Sequence, residues 1–149
     1  MAQLHKSICK LVKSAERENL TPCIRLNGTS DIGWQKLGIF EQYPEVQFYD
    51  YTKGIKRIME NDHANYHLTF SRSESNHKTV ERVLADTSVN VAAVFSTKRN
   101  DGLPTSYMGR RVIDGDLHDL RFLDAQNCIV GLRAKGDARQ DQSGFVIHA

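Results

Sequence analysis

The chain has 149 residues, of which 40% are hydrophobic and 26% charged, and its formal net charge is +2. This length suffices for one domain with a hydrophobic core, so we predict a single domain over 1–149. A net charge near zero gives no indication of a nucleic-acid partner, and no stretch reaches the roughly 20 apolar residues of a membrane helix. The N-terminal segment lacks the continuous apolar run of a signal peptide, so we expect a cytoplasmic protein.

The first predicted elements are a helix, a short strand, a polar turn and a second helix. Apolar residues recur at helical spacing over 4–15, and the strand 23–26 follows. The turn after this strand is more polar than a connector requires. Ser30 or Asp31 is placed to cap a helix over 33–43.

Strands and helices then alternate until Ser96, after which the pattern becomes loop-like. This alternation is typical of a parallel sheet. We therefore predict an α/β fold with an open, mostly parallel sheet of about five strands and helices on one face, as in a partial β/α barrel. The later predicted elements are strands at 46–53, 66–71 and 90–96, helices at 54–62 and 78–86, a loop at 97–111, a short strand at 111–113 and a last strand within 127–136.

The predicted strands alternate between apolar and polar residues, which gives the sheet two different faces. The apolar face suits helix packing, and the polar face fits the hydrated, ligand-accommodating inside of a curved sheet. A flat sheet with one solvent-facing side is the alternative. The apolar face comprises Ile24, Leu26, Val46, Phe48, Leu68, Phe70, Val91, Ala93 and Phe95, and the polar face comprises Arg25, Asn27, Gln47, Tyr49, Tyr51, His67, Thr69 and Ser71.

Polar side chains gather where the predicted strands end. In parallel βα folds, ligands bind at the carboxyl ends of the strands, and Arg and Asn side chains can hold a carboxylate, phosphate or carbonyl group. Single residues also have structural explanations, because Asp31 can be a helix cap and His67 a satisfied interior histidine. The predicted ligand-binding residues are Arg25, Asn27, Asp31, Tyr49, Asp50, Lys53, His67, Ser71 and Arg72.

We expect the polar sheet face to form one pocket. Side chains that share a face recur at every second position, and neighbouring parallel strands keep their ends level. The residues expected to converge there are Arg25, Asn27, Tyr49, Lys53, His67 and Arg72.

The segment 114–119 has the composition of a metal site. Asp114, Asp116 and His118 are candidate metal ligands, and a turn with self-capping aspartates is the alternative that turn chemistry favours. Near the C-terminus, Arg133, Lys135 and Arg139 either close over an anion or form a solvated tail.

No motif in the sequence identifies catalytic residues. Nucleophile-elbow, Walker, zinc-protease and dinucleotide-binding patterns are missing, so enzymatic activity stays open. The scattered Cys9, Cys23 and Cys128 indicate reduced thiols and not a disulfide framework or a zinc site, so we expect no cofactor in this chain.

Six segments in order resemble a family of uncharacterised proteins of bacteriophages and mobile elements. Longer members resemble radical-SAM-type partial barrels with a cysteine-rich segment ahead of the first helix, which implies an open β/α barrel and an iron–sulfur cluster in those relatives. This chain begins inside the first helix, so we expect that segment to be absent. The segments are PCIRLNGTSDI, VQFYDYTK, NYHLTFSRSE, NVAAVF, VIDGDLHDLRFLD and VGLRAKGDARQDQSGFV.

Two functions remain for such a protein in a bacterial host. The first is a binding module without a cluster, acting in counter-defence by holding a host protein or a small anionic ligand. The second is an enzyme acting on a nucleotide-like substrate, with a metal or an iron–sulfur cluster supplied by missing or partner segments. The edges of an open sheet need cover, so we also expect a homodimer or an edge covered by the N-terminal helix and the C-terminal tail.

Overall fold

The computed structural model describes residues 1–98 and 100–148, so Arg99, which falls in the predicted loop 97–111, and Ala149 lie outside the described residues. No helix among them is long and apolar enough to cross a membrane. The helices are α1 (Ala2–Glu18), α2 (Ile39–Gln42), α3 (Ile55–Met59) and α4 (His77–Asp86). The strands are β1 (Cys23–Ile24), β2 (Gln47–Thr52), β3 (Tyr66–Ser71), β4 (Val91–Phe95), β5 (Ser106–Tyr107), β6 (Arg110–Asp114), β7 (Ile129–Arg133) and β8 (Val146–Ile147).

The described strands form one open sheet in the order β1-β2-β3-β4-β7-β6-β5, and β8 pairs with β4. Neighbouring strands are parallel except β5 and β6, which are antiparallel. The predicted open, mostly parallel α/β sheet is therefore confirmed. The sheet has eight strands and not about five, because the two-residue strands β5 and β8 are too short to give a periodic signal. The curvature of a partial barrel stays a prediction.

The hydrophobic core lies on the face that the alternation of the strands predicts. Phe48, Phe70, Val91 and Phe95 are fully buried and belong to one cluster. Helices α1, α2, α3 and α4 all contribute buried side chains to the same cluster, for example Ile8 of α1. The helices therefore cover the apolar face, and their burial supplies the main favourable free energy of folding.

The helix predicted over 33–43 is interrupted. A 3₁₀ turn over Trp34–Leu37 ends at Gly38, which has a φ of 64°, and α2 begins immediately after it. A positive φ favours glycine and cannot continue a right-handed helix. The predicted cap is wrong, because Gly33 precedes the turn and no side chain caps it.

The polar face of the sheet is partly covered by the connection from β6 to β7. This connection carries a 3₁₀ turn over Arg121–Leu123, whose Arg121 side chain is fully buried. Phe122 of the turn packs on Tyr49 with 5.5 Å between the ring centroids. The connection therefore covers part of the polar face and leaves the carboxyl ends of the strands accessible.

The C-terminal segment returns to the sheet. Strand β8 pairs with the end of β4, on the side where β3 has already ended. The backbone N–H of Ser96 donates to the carbonyl of Ile147 across 2.9 Å. The segment beyond β7 is therefore not simply a solvated tail, since its end becomes a wall beside the strand ends.

Candidate functional site

An open cleft of about 680 Å³ lies on the polar face, at the carboxyl ends of the central strands. Tyr51 of β2, Ser71 of β3, Val94 of β4 and Leu132 of β7 contribute side chains to it. The strand order reverses between β4 and β7, and open α/β sheets bind ligands beside such reversals. The position of the cleft is therefore that of a ligand site.

Four cationic side chains line the cleft, and two of them are paired with carboxylates. The Arg25 Nη1 lies 3.3 Å from the Asp119 carboxylate, and the Lys135 Nζ lies 2.8 Å from that of Asp116. Within residues 1–98 and 100–148, Lys53 and Arg72 have no carboxylate within 4 Å. The cleft thus has a neutralised side, formed by the pairs Arg25–Asp119 and Lys135–Asp116. Its other side, formed by Lys53 and Arg72, carries positive charge that no described carboxylate compensates.

Arg72 is held in place at the edge of the cleft. Its Nη1 donates to the backbone carbonyl of Phe145 across 2.7 Å, which fixes the guanidinium against the segment leading into β8. Its Nε is buried and has no hydrogen-bond partner among the described residues. A buried guanidinium N–H without a partner costs free energy, so this arginine is held in the cleft wall at some cost to stability.

Arg25 stacks on an aromatic ring within the cleft. Its guanidinium carbon lies 4.8 Å from the centroid of the Tyr51 ring, within the range of a cation–π contact. Burial raises the pKa of the Tyr51 phenol above its ordinary value, so this ring is neutral at physiological pH. Asp119, Arg25 and Tyr51 therefore form a layered surface in which the Asp119 carboxylate compensates the charge of Arg25.

The floor of the cleft depends on a glycine. A Cβ at Gly115 would lie 2.5 Å from the Val130 side chain and 2.9 Å from the Nη1 of Arg121. The buried Arg121 donates to the backbone carbonyl of His118 and lies 3.4 Å from Asp124. The arginine beneath the floor thus shapes the loop that carries His118 and the two carboxylates of the neutralised side.

The polar turn after β1 is organised around Asn27, which is 2% exposed. Its Oδ1 accepts from the Ser30 hydroxyl at 2.8 Å, the Ile32 N–H at 3.0 Å and the Trp34 indole N–H at 3.0 Å. Its Nδ2 donates to the Asp50 carboxylate at 3.0 Å. The high polarity of this turn therefore serves the internal structure of the turn, and Asn27 does not line the cleft.

Asp50 lies on the core face of the sheet and is fully buried. It accepts from the Asn27 backbone N–H at 2.7 Å and from the Tyr66 hydroxyl at 2.9 Å. Burial raises the pKa of Asp50 above its ordinary value although these donors favour the charged form. Arg57 links this group to Asp31 through bonds to both Tyr66 and the Asp31 carboxylate.

The structure brings together some of the residues predicted to converge and separates others. Arg25, Lys53 and Arg72 line the cleft, as does the predicted site residue Ser71. The remaining predicted residues lie elsewhere, for physical reasons that differ. Asn27 and Asp50 form the buried group described above, Asp31 binds Thr52 and the Lys53 backbone, Tyr49 lies beneath Phe122, and His67 lines a smaller cavity at the opposite end of its strand.

The candidate metal ligands have other partners. Asp114 accepts two bonds from Arg133 at 2.9 and 3.0 Å, which lower the pKa of its carboxyl group. Hydrogen bonds from Lys135 and Arg133 outweigh burial and lower the pKa of Asp116. No group of three potential metal-ligating side chains occurs in the described parts of the chain, which include His118 and all three cysteines. The carboxylates of Asp114 and Asp116 therefore bind the cationic side chains of Arg133 and Lys135.

Several cleft residues were missing from the sequence-based list of the site. Tyr51 carries a signal, because it alternates with Tyr49 on the polar face. Asp119 and Lys135 come from distant segments, and Asp119 is 94 residues from its partner Arg25. Phe145 lines the cleft because β8, which directly follows it, pairs with β4. No local pattern predicts the contributions of Asp119 and Phe145, whereas Lys135 belongs to the segment expected either to close over an anion or to form a solvated tail.

The fold and the cleft together define an α/β protein with an open, mostly parallel sheet and a positively charged cleft at the strand ends. The chain belongs to the Gene product 88 family, whose family model matches residues 1–149. This is a family of phage-type gene products, in agreement with the resemblance to bacteriophage proteins. No curated protein and no solved structure matches the chain.

Proposed function

We propose that the protein is a binding module that holds a small anionic ligand in the cleft at the strand ends. The observation that carries this proposal is the Arg72 guanidinium, which lines the cleft, is held by the Phe145 carbonyl and has no carboxylate within 4 Å among the described residues. Arg72 and Lys53 line the same cleft and have no acidic partner in the described parts of the chain, so an anion entering the cleft meets uncompensated positive charge.

The geometry supports binding better than catalysis. Both ring nitrogens of His118, the histidine of the cleft, face protein groups: Nδ1 lies 3.4 Å from Arg121 and Nε2 lies 3.8 Å from Asp124. A general base needs a free nitrogen aimed at the substrate. An enzyme acting on a nucleotide-like substrate, with a metal or cluster from another segment, remains the alternative. The likeness to radical-SAM-type partial barrels stays a prediction.

We place this binding in the cytoplasm of a bacterial host and propose counter-defence as its purpose. A phage-type protein that holds a small host metabolite or signal lowers the free concentration of that molecule. A host protein is the other candidate occupant. A homodimer also stays a prediction, although the edge strands β1 and β5 have only two paired residues each and expose little backbone.

Isothermal titration calorimetry with phosphate, pyrophosphate and citrate tests the proposal. We expect at least one of these anions to bind with a dissociation constant below about 1 mM at low salt and more weakly at high salt. Arg72→Met should weaken binding by about ten-fold or more, because hydrogen bonds to charged groups contribute about 1.5–3 kcal/mol. The matched control is Arg82→Met, since Arg82 is 65% exposed on α4 and outside the cleft.

Two outcomes would contradict the proposal. Failure of all three anions to bind the folded wild-type protein excludes a simple anion site. Equal loss of affinity in the Arg72 and Arg82 variants assigns the binding to general surface charge and not to the cleft.

A further inference from the structure

Building on the anion-binding function proposed above, we propose that the ligand is a nucleoside monophosphate. In this arrangement Lys53 and Arg72 bind the phosphate, and the layered pair of Arg25 and Tyr51 binds the base. Each part of the assignment follows from how the charges and rings of the cleft are already paired.

The division of charge separates the two ends of the ligand. Asp119 lies 3.3 Å from Arg25 and compensates its charge, so this arginine is a poor phosphate ligand. Its guanidinium plane nevertheless lies over the Tyr51 ring and presents a flat, polarisable surface. Nucleobases stack on aromatic rings and on guanidinium planes of this kind. The phosphate is left to the two cations without acidic partners.

The number of unpaired cations limits the charge of the ligand. Two positive side chains match one phosphate group, which carries a charge of about −1.5 to −2 at neutral pH. Two more anionic groups, as in a triphosphate, would find no further unpaired cation among the described cleft residues, because Arg25 and Lys135 already bind carboxylates. We therefore assign one phosphate group and not a chain of them.

The remaining dimensions and polar groups suit a nucleoside. The cleft volume of about 680 Å³ falls within the usual range of small-molecule sites, and a bare phosphate would fill little of it. The Asp119 side chain is 61% exposed and keeps acceptor capacity beyond its bond to Arg25. Carboxylates accept hydrogen bonds from ribose hydroxyls and from base amino groups. Phe145 adds a second aromatic side chain to the cleft wall.

A titration series on the intact chain separates the parts of the ligand. The probes are inorganic phosphate, ribose 5-phosphate, adenosine, the four common ribonucleoside monophosphates and ATP. We expect at least one monophosphate to bind ten-fold or more tightly than ribose 5-phosphate and more tightly than ATP. Adenosine alone should bind more weakly than its monophosphate.

Substitution of the stacking ring provides the matched comparison. Tyr51→Leu should remove the advantage of the monophosphate over ribose 5-phosphate, and a cooperative thermal unfolding transition shows that the variant is folded. Tyr51→Phe keeps the ring and should keep the advantage.

The outcomes distinguish this inference from the function on which it rests. If phosphate and ribose 5-phosphate bind as tightly as every monophosphate, the nucleotide assignment is overturned and anion binding stands. If no probe binds and pyrophosphate and citrate also fail to bind, both the nucleotide assignment and the anion-binding function are overturned. Tighter binding of a short RNA oligonucleotide than of any mononucleotide would overturn the assignment of a small ligand.

Discussion

Asn27→Asp is the most informative single substitution for the buried group after β1. The side chain keeps its shape, and its Oδ1 can still accept from Ser30, Ile32 and Trp34. The substitution replaces the Nδ2 donor with an oxygen, which can only accept and which faces the Asp50 carboxylate at 3.0 Å. Two carboxylates then share a buried position.

The expected cost follows from this distance. Two unit charges 3.0 Å apart repel by about 5 kcal/mol at an effective dielectric constant of about 20. The folded variant can avoid this repulsion by binding a proton between the carboxylates. Binding this proton costs about 1.4 kcal/mol for each pH unit above the pKa of a free aspartate. Because pH 7 lies roughly 3 units above that pKa, protonation costs about 4 kcal/mol at pH 7. The folded variant binds the extra proton, so its deficit should shrink by about 1.4 kcal/mol for each unit by which the pH falls from 7 to 5.

Urea unfolding followed by the fluorescence of the single tryptophan, Trp34, measures this effect directly, since the indole donates to Asn27. Gln3→Glu makes the same change of charge on the exposed surface of α1 and should alter the free energy of unfolding by less than about 0.5 kcal/mol. An Asn27→Asp protein as stable as wild type at pH 7.5, or a deficit independent of pH, would refute the assignment of Asn27 and Asp50 to one buried group.

Three further predictions concern stability and can be measured by chemical or thermal unfolding. Gly115→Ala should cost about 1–3 kcal/mol because its Cβ would lie 2.5 Å from the buried Val130 side chain, whereas Gly28→Ala, with open space around it, should cost less than about 0.5 kcal/mol. Burial lowers the pKa of His67, so stability should decline as the pH falls below about 6.5, and His67→Gln should flatten that decline; an unchanged slope would contradict it. Arg110→Met should cost about 3 kcal/mol or more, because the guanidinium binds three backbone carbonyls around the end of α4; a loss below about 1 kcal/mol would mean that water replaces those bonds.

The sequence pattern predicts the centre of the sheet better than its margins. Strands β2, β3 and β4 have five or six residues each, which is enough for the alternation of apolar and polar side chains to show. Helix α4 likewise has ten residues and a clear apolar stripe. The strands β5 and β8 have two residues each, and their pairing depends on where distant segments return.

The same limit applies to the site. The positions of Arg25, Lys53 and Arg72 at strand ends could be predicted, because parallel strands end at one edge of the sheet. Asp50 alternates with Phe48, so its position already places it on the core face. Its polarity suggested the cleft, because burial of a carboxylate is unfavourable unless donors surround it. Those donors come from Asn27 and other parts of the chain that no local pattern connects.

The most direct test of anion binding in the cleft is an NMR titration that follows the side-chain Nε–H resonances of the arginines as phosphate or a nucleoside monophosphate is added. We predict that the Arg72 Nε–H shows the largest change and saturates with the affinity measured by calorimetry, because the anion binds the guanidinium that carries this N–H. The exposed Arg82 should show little change. Saturating binding that leaves Arg72 unaffected, with the largest changes at residues outside the cleft, would contradict the account.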